Sequence, residues 1–308
     1  MTKVFQTAVL GAGLMGHGIA LTLARAGHRV ALTDPSAEAL ASAHQRIAAS
    51  LILMGEGEAR IAQILKQVGL TGTVAEAVTG ADFVFEAAPE KLPLKQALFA
   101  EAEAHAPESA ILASNTSVMP ITQIMVKLNR RERALGTHWW NPPHMIPLVE
   151  VIRTPWTSPD AMDAMTDLLA GAGKTPVRVE KDVPGFIGNR LQHALWREAI
   201  SLVERGICDA ASVDTVVKSC FGRRLSVLGP LENADLVGTD LTLDIHRTVL
   251  ADLEDRKGPS PYLERLVAEG RLGMKSGEGF RTWTPEEAQT VRNRVTTHLR
   301  KLDTILED

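Results

Sequence analysis

The chain has 308 residues, of which 45% are hydrophobic and 23% are charged, and its formal net charge is -4. This length exceeds what a single hydrophobic core commonly supports, so we expect two domains. The mild net charge and the absence of any Lys/Arg-rich run argue against a nucleic acid or a membrane surface as the partner.

The cysteines, Cys208 and Cys220, predict neither a disulfide framework nor a metal site, because their spacing matches no ligand pattern. The chain enters an apolar run at Val4 without the segments typical of a signal peptide. Its apolar stretches are interrupted well short of a membrane span. We therefore expect a cytoplasmic protein that holds no metal and whose partner is a small molecule.

Short apolar runs alternate with helical patterns through the first half of the chain. The predicted strands are Val4–Leu10, Arg29–Thr33, Phe83–Ala87, Ile111–Ala113, Ala134–His138, Leu148–Ile152 and Val177–Val179. The predicted helices are Leu14–Ala26, Ala37–Met54, Glu58–Val68, Leu94–Ala106 and Pro159–Ala170. Strands that alternate with helices in this way are typical of βαβ units and a parallel sheet.

The pattern changes after the segment Asp-Val-Pro-Gly at residues 182–185. From Phe186 onward the apolar residues follow a helical period, as in Leu191–Glu204, and β-branched alternation is almost absent. The sequence therefore predicts an α/β fold with a boundary near residue 184. Residues 1–183 would form an NAD-binding, doubly wound sheet of Rossmann type, and residues 184–308 an all-α domain.

A glycine-rich turn, with the sequence Gly-Ala-Gly-Leu-Met-Gly, follows the first predicted strand and opens the first predicted helix. Gly11 permits the tight turn, Gly13 lets a pyrophosphate approach the backbone, and Gly16 lets the helix pack against the strand. The N–H groups at the start of the helix then face the phosphates, together with the positive end of the helix dipole. We therefore predict that a dinucleotide is bound by Gly11, Gly13, Leu14, Met15 and Gly16.

Asp34 ends the second predicted strand. A carboxylate at this place can accept hydrogen bonds from the ribose hydroxyls of adenosine, and it would repel a 2′-phosphate. Asp34 therefore favours NAD over NADP. Flavin-binding proteins use the same fingerprint, and they remain the alternative on this evidence.

The segment Thr-His-Trp-Trp-Asn-Pro-Pro-His at residues 137–144 ends a strand, and Glu150 lies within the next apolar run. A carboxylate in a buried strand costs free energy unless it is paired or hydrogen-bonded, and His138 on a neighbouring strand is a natural partner. The carboxylate would make the imidazole more basic and fix its tautomer, which suits a base that removes a hydroxyl proton. The alternative is a purely structural hydrogen bond between the two strands.

Further motifs accompany these along the chain. They are Glu86-Ala-Ala-Pro-Glu90, Ser114-Asn-Thr-Ser117, His138–Pro142, Leu148–Val151, Pro184-Gly-Phe-Ile-Gly-Asn-Arg190 and Gly273-Met-Lys-Ser-Gly-Glu-Gly-Phe280. Together with the glycine turn they resemble the 3-hydroxyacyl-CoA dehydrogenase family, over residues 4–283. The resemblance implies NAD-dependent oxidation of the 3-hydroxyl of an L-3-hydroxyacyl compound, and a homodimer formed through the helical domain.

The resemblance also implies roles for individual residues. His138 matches the general acid/base, Glu150 the carboxylate that orients it, and Ser117 a serine close to the reacting oxygen and the nicotinamide. Asn141 and Asn189 match asparagines that hold the substrate. Hydroxyl and amide donors of this kind can stabilise the negative charge that develops on the oxygen.

Glu90 and Lys95 match residues that line the cofactor site, as Ser117 does. Simpler explanations stand beside these roles. Ser117 and Asn189 can each cap a following helix, and Lys95 can be a solvated charge on a helix surface.

Members of the family that act on CoA thioesters usually have His-Phe-Phe-Asn-Pro at the catalytic motif, where this chain has two tryptophans. They also tend to place lysines after the second strand, whereas here none occurs between Asp34 and Lys66. Arg46 and Arg60 are the cations of that stretch that can meet the phosphates of CoA.

The segment Phe221–Gly229, with Arg223 and Arg224, resembles relatives that act on free hydroxy acids, such as L-gulonate, carnitine and pyridine-carboxylate dehydrogenases. Two arginines can bind a carboxylate, or they can form an ordinary surface pair. The sequence thus leaves open a CoA thioester or a small non-CoA hydroxy acid or aldehyde as the substrate. A dinucleotide-binding protein without catalysis is a third interpretation, although every expected catalytic position is filled.

Overall fold

The computed structural model describes residues 3–306, with the backbone alone for residues 303–306. Residues 1–2 and 307–308, at the outer ends of the two predicted domains, lie outside the described residues. Within residues 3–306, none of the helices combines the length and the apolar character that a membrane span requires.

The described residues contain eight strands, which form one sheet. They are β1 Gln6–Leu10, β2 Arg29–Thr33, β3 Val68–Thr71, β4 Phe83–Glu86, β5 Ile111–Ser114, β6 Ala134–Trp139, β7 Leu148–Ile152 and β8 Thr175–Val179. Their order is β3-β2-β1-β4-β5-β6-β7-β8, and every pair is parallel except β6 with β7. The chain is wound in both directions from β1, which confirms the predicted Rossmann-type sheet.

Fourteen α-helices lie in the same part of the chain. They are α1 Gly16–Arg25, α2 Ala37–Ala41, α3 Ala43–Leu53, α4 Glu58–Leu65, α5 Val74–Val78, α6 Leu92–His105, α7 Ile121–Met125, α8 Pro159–Gly171, α9 Gly188–Glu204, α10 Ala210–Ser219, α11 Pro230–Val237, α12 Thr239–Val249, α13 Pro261–Ala268 and α14 Pro285–Leu306. From α9 onward the described chain holds helices and only isolated β-bridges, which confirms a helical C-terminal part.

The chain divides into two compact units. The first unit comprises the residues up to Arg190 and those from Leu299 onward, and the second unit comprises Leu191–His298. The division falls within α9 and α14, while the predicted boundary near residue 184 stays a prediction.

The central strands are buried on both faces, as is typical of parallel sheets covered by helices. Val9 belongs to one hydrophobic cluster, whereas Ala8 and Leu10 belong to another, because successive side chains of a strand point to opposite faces. The parallel strands β1, β2, β4, β5 and β6 end at the same edge of the sheet. Side chains that follow them therefore meet at that edge, where ligands bind in such folds.

The structure differs from the predicted elements near the edge of the sheet. The predicted helix Glu58–Val68 ends at Leu65, and Val68 begins the unpredicted strand β3. The sequence of β3 is Val-Gly-Leu-Thr, and only Val68 in it is buried, so the strand has no apolar alternation to reveal it. The single helix predicted over Ala37–Met54 is divided at Ser42 into α2 and α3.

Candidate active site

The turn between β1 and α1 leaves no room for side chains at two of its glycines. A Cβ on Gly11, whose φ is 111°, would lie 2.7 Å from the carbonyl oxygen of Ala87. A Cβ on Gly16 would lie 1.7 Å from the carbonyl oxygen of Gly11. A Cβ on Gly13, by contrast, would meet nothing within 4 Å. The backbone at Gly13 thus borders open space, as a site that seats a pyrophosphate against the main chain requires.

The start of α1 is not capped by any side chain: Met15 stands at the N-cap and makes no capping hydrogen bond. Leu14, just before it, is 66% exposed. The positive end of the helix dipole is therefore left for an anionic ligand, which is the arrangement that phosphates use at helix N-termini.

Asp34 follows β2 and fixes the same turn from the other side. One of its carboxylate oxygens accepts the N–H of Ala12 at 2.7 Å, and the other accepts the N–H of Ser36 at 2.8 Å. An ionised carboxylate has about four acceptor positions, so Asp34 retains capacity for ribose hydroxyls while it holds the turn.

A buried acid–base pair lies farther along the same edge of the sheet. His138 and Glu150 are direct partners in the antiparallel register of β6 and β7. The distance from His138 Nδ1 to Glu150 Oε2 is 2.6 Å, and the two side chains are 3% and 1% exposed. The pair predicted from the sequence therefore meets, on strands that neighbour each other directly.

The second carboxylate oxygen of Glu150 accepts hydrogen bonds from the backbone at the start of α9. Its Oε1 accepts the N–H groups of Ile187 at 2.8 Å and of Gly188 at 3.0 Å. Both N–H groups follow Gly185 and Phe186, which adopt positive φ angles of 75° and 50°. Successive N–H groups in such a turn form a concave anion site, and here the anion is the carboxylate of Glu150.

These hydrogen bonds set the charge of Glu150. Burial by itself raises the pKa of this carboxyl, but the hydrogen bonds from His138 and from the N–H groups of Gly188 and Ile187 lower it below its ordinary value. Because Glu150 is thus the anion, Nδ1 of His138 carries the proton. The Nε2 atom is left as the nitrogen that can take or release a proton at a substrate.

Aromatic rings enclose the imidazole of His138. The ring of Trp140 lies 4.9 Å from it between centroids, and that of Phe186 lies 5.6 Å from it. A Cβ on Gly188 would lie 2.4 Å from Cζ2 of Trp140, so the glycine allows the indole to reach the start of α9. The histidine is thereby confined to one orientation.

Ser117 is held through its backbone from two directions. Its N–H donates to Glu90 Oε1 at 3.2 Å, and its carbonyl oxygen accepts Nδ2 of Asn189 at 2.8 Å. Ser117 does not cap α7, whose N-cap is Pro120. Its side chain is exposed, so the hydroxyl remains available to a ligand.

Asn141, which follows Trp140 at the end of β6, is exposed. It forms a cis peptide bond with Pro142. Asn141 thus lies one residue beyond Trp140, whose ring flanks His138, whereas Asn189 lies at the start of α9 and contacts the Ser117 carbonyl.

Lys95 is fully buried, in contrast to a solvated surface lysine. Its Nζ lies 2.7 Å from Glu86 Oε1 and 3.3 Å from Glu90 Oε2, and it also donates to the carbonyl oxygen of Asn115 at 3.2 Å. Burial raises the pKa of Glu86, while Lys95 and the hydroxyl of Ser114 act in the opposite direction. Lys95 thus links the ends of β4 and β5. It also forms an ion pair with Glu90, the residue that accepts the N–H of Ser117.

The sequence reasoning did not single out two members of this group as site residues. Glu86 is a fully buried glutamate at the end of an apolar strand, so the argument that selected Glu150 applies to it as well. Asn115 accepts the N–H of Trp139 through Oδ1 at 3.1 Å. No pattern in the sequence indicates that contact, because it depends on the pairing of β5 with β6.

A pair of histidines lies where α1 meets the loop after β6. His17 Nδ1 is 2.8 Å from the carbonyl oxygen of Gly13, and the rings of His17 and His144 are 6.4 Å apart between centroids. A Cβ on Gly18 would lie 2.5 Å from Cγ of Pro143. Helix α1 and the loop after β6 are therefore in close contact.

Two family models match the chain. The NAD binding domain of 3-hydroxyacyl-CoA dehydrogenase matches residues 6–183, and the C-terminal domain of the same enzyme matches residues 185–283. The chain belongs to the 3-hydroxyacyl-CoA dehydrogenase family. It is therefore an NAD-dependent dehydrogenase, and the open backbone at Gly13, the uncapped α1 and Asp34 fit NAD as its cofactor.

The relatives include enzymes with different substrates. A 5-formyl-3-hydroxy-2-methylpyridine 4-carboxylate 5-dehydrogenase of Mesorhizobium japonicum is 36% identical over 301 residues, 97% of each chain. The mitochondrial hydroxyacyl-coenzyme A dehydrogenase of Homo sapiens is 38% identical over 291 residues, 90% of each chain. A crystal structure of 5-formyl-3-hydroxy-2-methylpyridine 4-carboxylic acid 5-dehydrogenase, an NAD+ dependent dismutase, matches with a TM-score of 0.91 at 34% identity, over 99% of each chain.

The buried pair of Lys95 and Glu86 can be tested by charge removal. Lys95→Met keeps an unbranched side chain of similar size but leaves the Glu86 carboxylate without its partner. We expect the free energy of unfolding to fall by about 3–5 kcal/mol, measured as a lower urea midpoint. The double variant Lys95→Met/Glu86→Gln should recover most of that loss. Lys91→Met, at an exposed lysine next to α6, is the matched control; an equal loss in the single and double variants would contradict a charge effect.

The His17–His144 contact predicts sensitivity to acid. Burial, with the nearby His17 and Lys174, lowers the pKa of His144 to about 4, while an unfolded histidine titrates near 6.5. Between these values the unfolded chain takes up a proton that the folded chain excludes. Stability is therefore full above pH 6.5 and declines as the pH falls toward 4.

His144→Asn removes this titration. We expect the melting temperature of the variant to fall less than that of the unchanged chain between pH 7 and pH 5. The exposed His105 supplies the control, since His105→Asn should leave the pH dependence as it is. Parallel pH profiles for all three proteins would rule out His144 as the group responsible.

Proposed function

We propose that His138 is the general acid/base of this dehydrogenase and that Glu150 orients and stabilises it. The contact that supports this is the 2.6 Å hydrogen bond from His138 Nδ1 to a carboxylate that is itself held by two backbone N–H groups. In the oxidative direction Nε2 accepts the proton of the substrate hydroxyl, and the imidazolium that forms is stabilised by Glu150. NAD, when bound, supplies the acceptor for the hydride.

Ser117 and Asn141 are the donors that we propose for the reacting oxygen. Both side chains are exposed, and a hydroxyl and an amide can each donate to the oxygen as it acquires negative charge. Asn189 acts with them by holding the carbonyl of Ser117, which fixes the place of the serine hydroxyl. Removal of one such donor commonly costs about 10² to 10³ in turnover.

The cofactor residues form two groups in this proposal. Gly11, Gly13, Leu14, Met15 and Gly16 supply the backbone at which the pyrophosphate lies, and Asp34 accepts from the ribose hydroxyls. Glu90 and Lys95 act on the nicotinamide side through Ser117, since Glu90 accepts the Ser117 N–H and Lys95 holds Glu90.

For the substrate we propose a small hydroxy or formyl carboxylic acid rather than a CoA thioester. The observation that carries this proposal is the engagement of Arg46, one of the two arginines between Asp34 and Lys66. Arg46 donates to main-chain carbonyl oxygens of residues 12, 13 and 39, and Arg60 donates to Gln63 and to the carbonyl oxygen of Arg25. Arg46 is thus engaged within the fold, which leaves the exposed Arg60 as the cation of this stretch for the phosphates of CoA, groups that call for cationic or backbone donors.

The likeness to the pyridine-carboxylate dehydrogenase supports the same choice, because it extends over nearly the whole of both chains. In the second unit Arg223 and Arg224 are exposed, and no hydrogen bond or ion pair engages their side chains within residues 3–306. An arginine can bind a carboxylate through two parallel hydrogen bonds. Arg223 and Arg224 are therefore each available to bind a carboxylate.

Oxidation of an L-3-hydroxyacyl-CoA is the second candidate. The family model and the human relative at 38% identity favour it. The chemistry at His138 is the same for either substrate, so the two candidates differ in what binds the remainder of the molecule.

We also propose that the chain forms a homodimer through its helical unit. Helices α11 and α12 expose large apolar side chains, among them Leu231 at 80% and Leu236 at 72%, and contiguous apolar surface commonly marks an interface. Sedimentation velocity distinguishes a dimer from a monomer. A cytoplasmic location is proposed with it, since Cys208 and Cys220 are both unpaired, as is usual in a reducing compartment.

His138→Gln tests the assignment of the acid/base. We expect kcat to fall by about 10² to 10⁴, the usual contribution of a positioned acid or base, while the affinity for NADH is kept. His105→Gln makes the same substitution at an exposed histidine and should leave both quantities unchanged. Turnover close to that of the unchanged chain would mean that His138 is a structural residue.

The substrate is tested by following NADH formation with L-3-hydroxybutyryl-CoA beside a panel of free acids. The panel includes 3-hydroxy acids and pyridine carboxylates that carry a hydroxymethyl or formyl group. We expect turnover with a free acid and none with the thioester, and loss of that turnover in His138→Gln. Turnover of the thioester alone would overturn the free-acid proposal and leave the assignment of His138 intact.

A further inference from the structure

Arg46 of α3 contacts the turn between β1 and α1, residues 11–15, which is called the cofactor turn below. Its Nη2 donates to the carbonyl oxygen of Ala12 at 2.5 Å, and its Nη1 donates to that of Gly13 at 3.3 Å. Nη2 also donates to the carbonyl oxygen of Ala39 in α2 at 2.7 Å. One guanidinium group therefore joins two successive peptide units of the turn to the helices that follow β2.

The direction of these carbonyl groups determines where the neighbouring N–H groups point. In a planar trans peptide the C=O and the N–H of one unit point in opposite directions. Because the carbonyls of Ala12 and Gly13 point at Arg46, the N–H groups of Gly13 and Leu14 point away from it. These N–H groups belong to the stretch between β1 and α1 whose outer side is open at Gly13.

Two other side chains fix the same short segment. Asp34 accepts the N–H of Ala12 at 2.7 Å, and Nδ1 of His17 lies 2.8 Å from the carbonyl oxygen of Gly13. Arg46 differs from both because it spans two peptide units and because it carries a full positive charge. The charge lies behind the turn, on the side opposite the two N–H groups.

We propose that Arg46 is a positioning residue for NAD, which aims the N–H groups of Gly13 and Leu14 at the pyrophosphate and adds positive charge behind them. This role rests on the use of NAD by the chain and is separate from the choice of substrate. Arg46 acts through the main chain and need not touch the cofactor. It follows that a change at Arg46 alters the binding of NAD and leaves the chemical step at His138 unaltered.

Arg46→Met tests this by fluorescence titration of the full chain with NADH. We expect the Kd for NADH to rise about 10-fold to 100-fold, as befits the loss of charged hydrogen bonds, with kcat at saturating NAD unchanged. Arg46→Lys keeps the charge but lacks the planar fork, so it should recover part of the affinity. Arg60→Met, whose arginine contacts Arg25 and Gln63 instead, should bind NADH as the unchanged chain does.

Fragments of the cofactor distinguish a loss of pyrophosphate binding from a general loss of order in the cofactor site. ADP-ribose carries the pyrophosphate. Its affinity for Arg46→Met should fall by the same factor as that of NADH, each measured by competition with NAD. Adenosine, which has no phosphate, should bind as before. Equal weakening of adenosine, or an unchanged Kd for NADH in variants whose circular dichroism is native, would overturn the role of Arg46. Failure of the unchanged chain to bind NADH would overturn the cofactor assignment on which the role rests.

Discussion

A carboxylate taken out of water must receive hydrogen bonds, and the way in which Glu150 receives them determines where three parts of the first unit meet. One oxygen accepts from the imidazole of His138, and the other accepts the N–H groups that open α9. The tautomer of the histidine and the position of the helix start are thus two results of one constraint. Through Asn189, the same helix start also reaches the carbonyl of Ser117. The imidazole of His138 and the carbonyl group of Ser117 are therefore both positioned, directly or through the start of α9, by one buried carboxylate.

Glu86 is a second buried carboxylate at this edge, and its environment differs in a way that matters chemically. Glu86 is neutralised by Lys95, and burial raises its pKa, whereas donors that include two backbone N–H groups lower that of Glu150. A lysine ordinarily keeps its charge at neutral pH, while an imidazole can gain and lose a proton there. The first pair is suited to holding strands together, and the second is suited to proton transfer.

The parts of the site that could be predicted from the sequence are those where a residue type carries a free-energy cost in its local setting unless a specific contact or function requires it. Glu150 in an apolar strand and the three glycines at a strand–helix junction are of this kind, and the structure brings His138 to Glu150. The residues that escaped prediction depend on distant packing. The sequence indicates Arg46 only as a cation for the phosphates of CoA, whereas in the fold its side chain contacts the carbonyl oxygen of Ala12. Likewise β3 forms because β2 offers it an open edge, not because its own sequence has the pattern of a strand.

The contact between Gly18 and Pro143 restricts how the molecule can be altered by recombination. Helix α1 follows the cofactor turn, and its first residues lie against the loop that leaves β6, where a Cβ on Gly18 would come within 2.5 Å of Cγ of Pro143. A cofactor turn transplanted from a relative with a larger residue in place of Gly18 would displace that loop. Chimeras that exchange cofactor preference therefore need to exchange residues 11–18 and 138–144 together. These two segments lie far apart in the sequence but act as one unit.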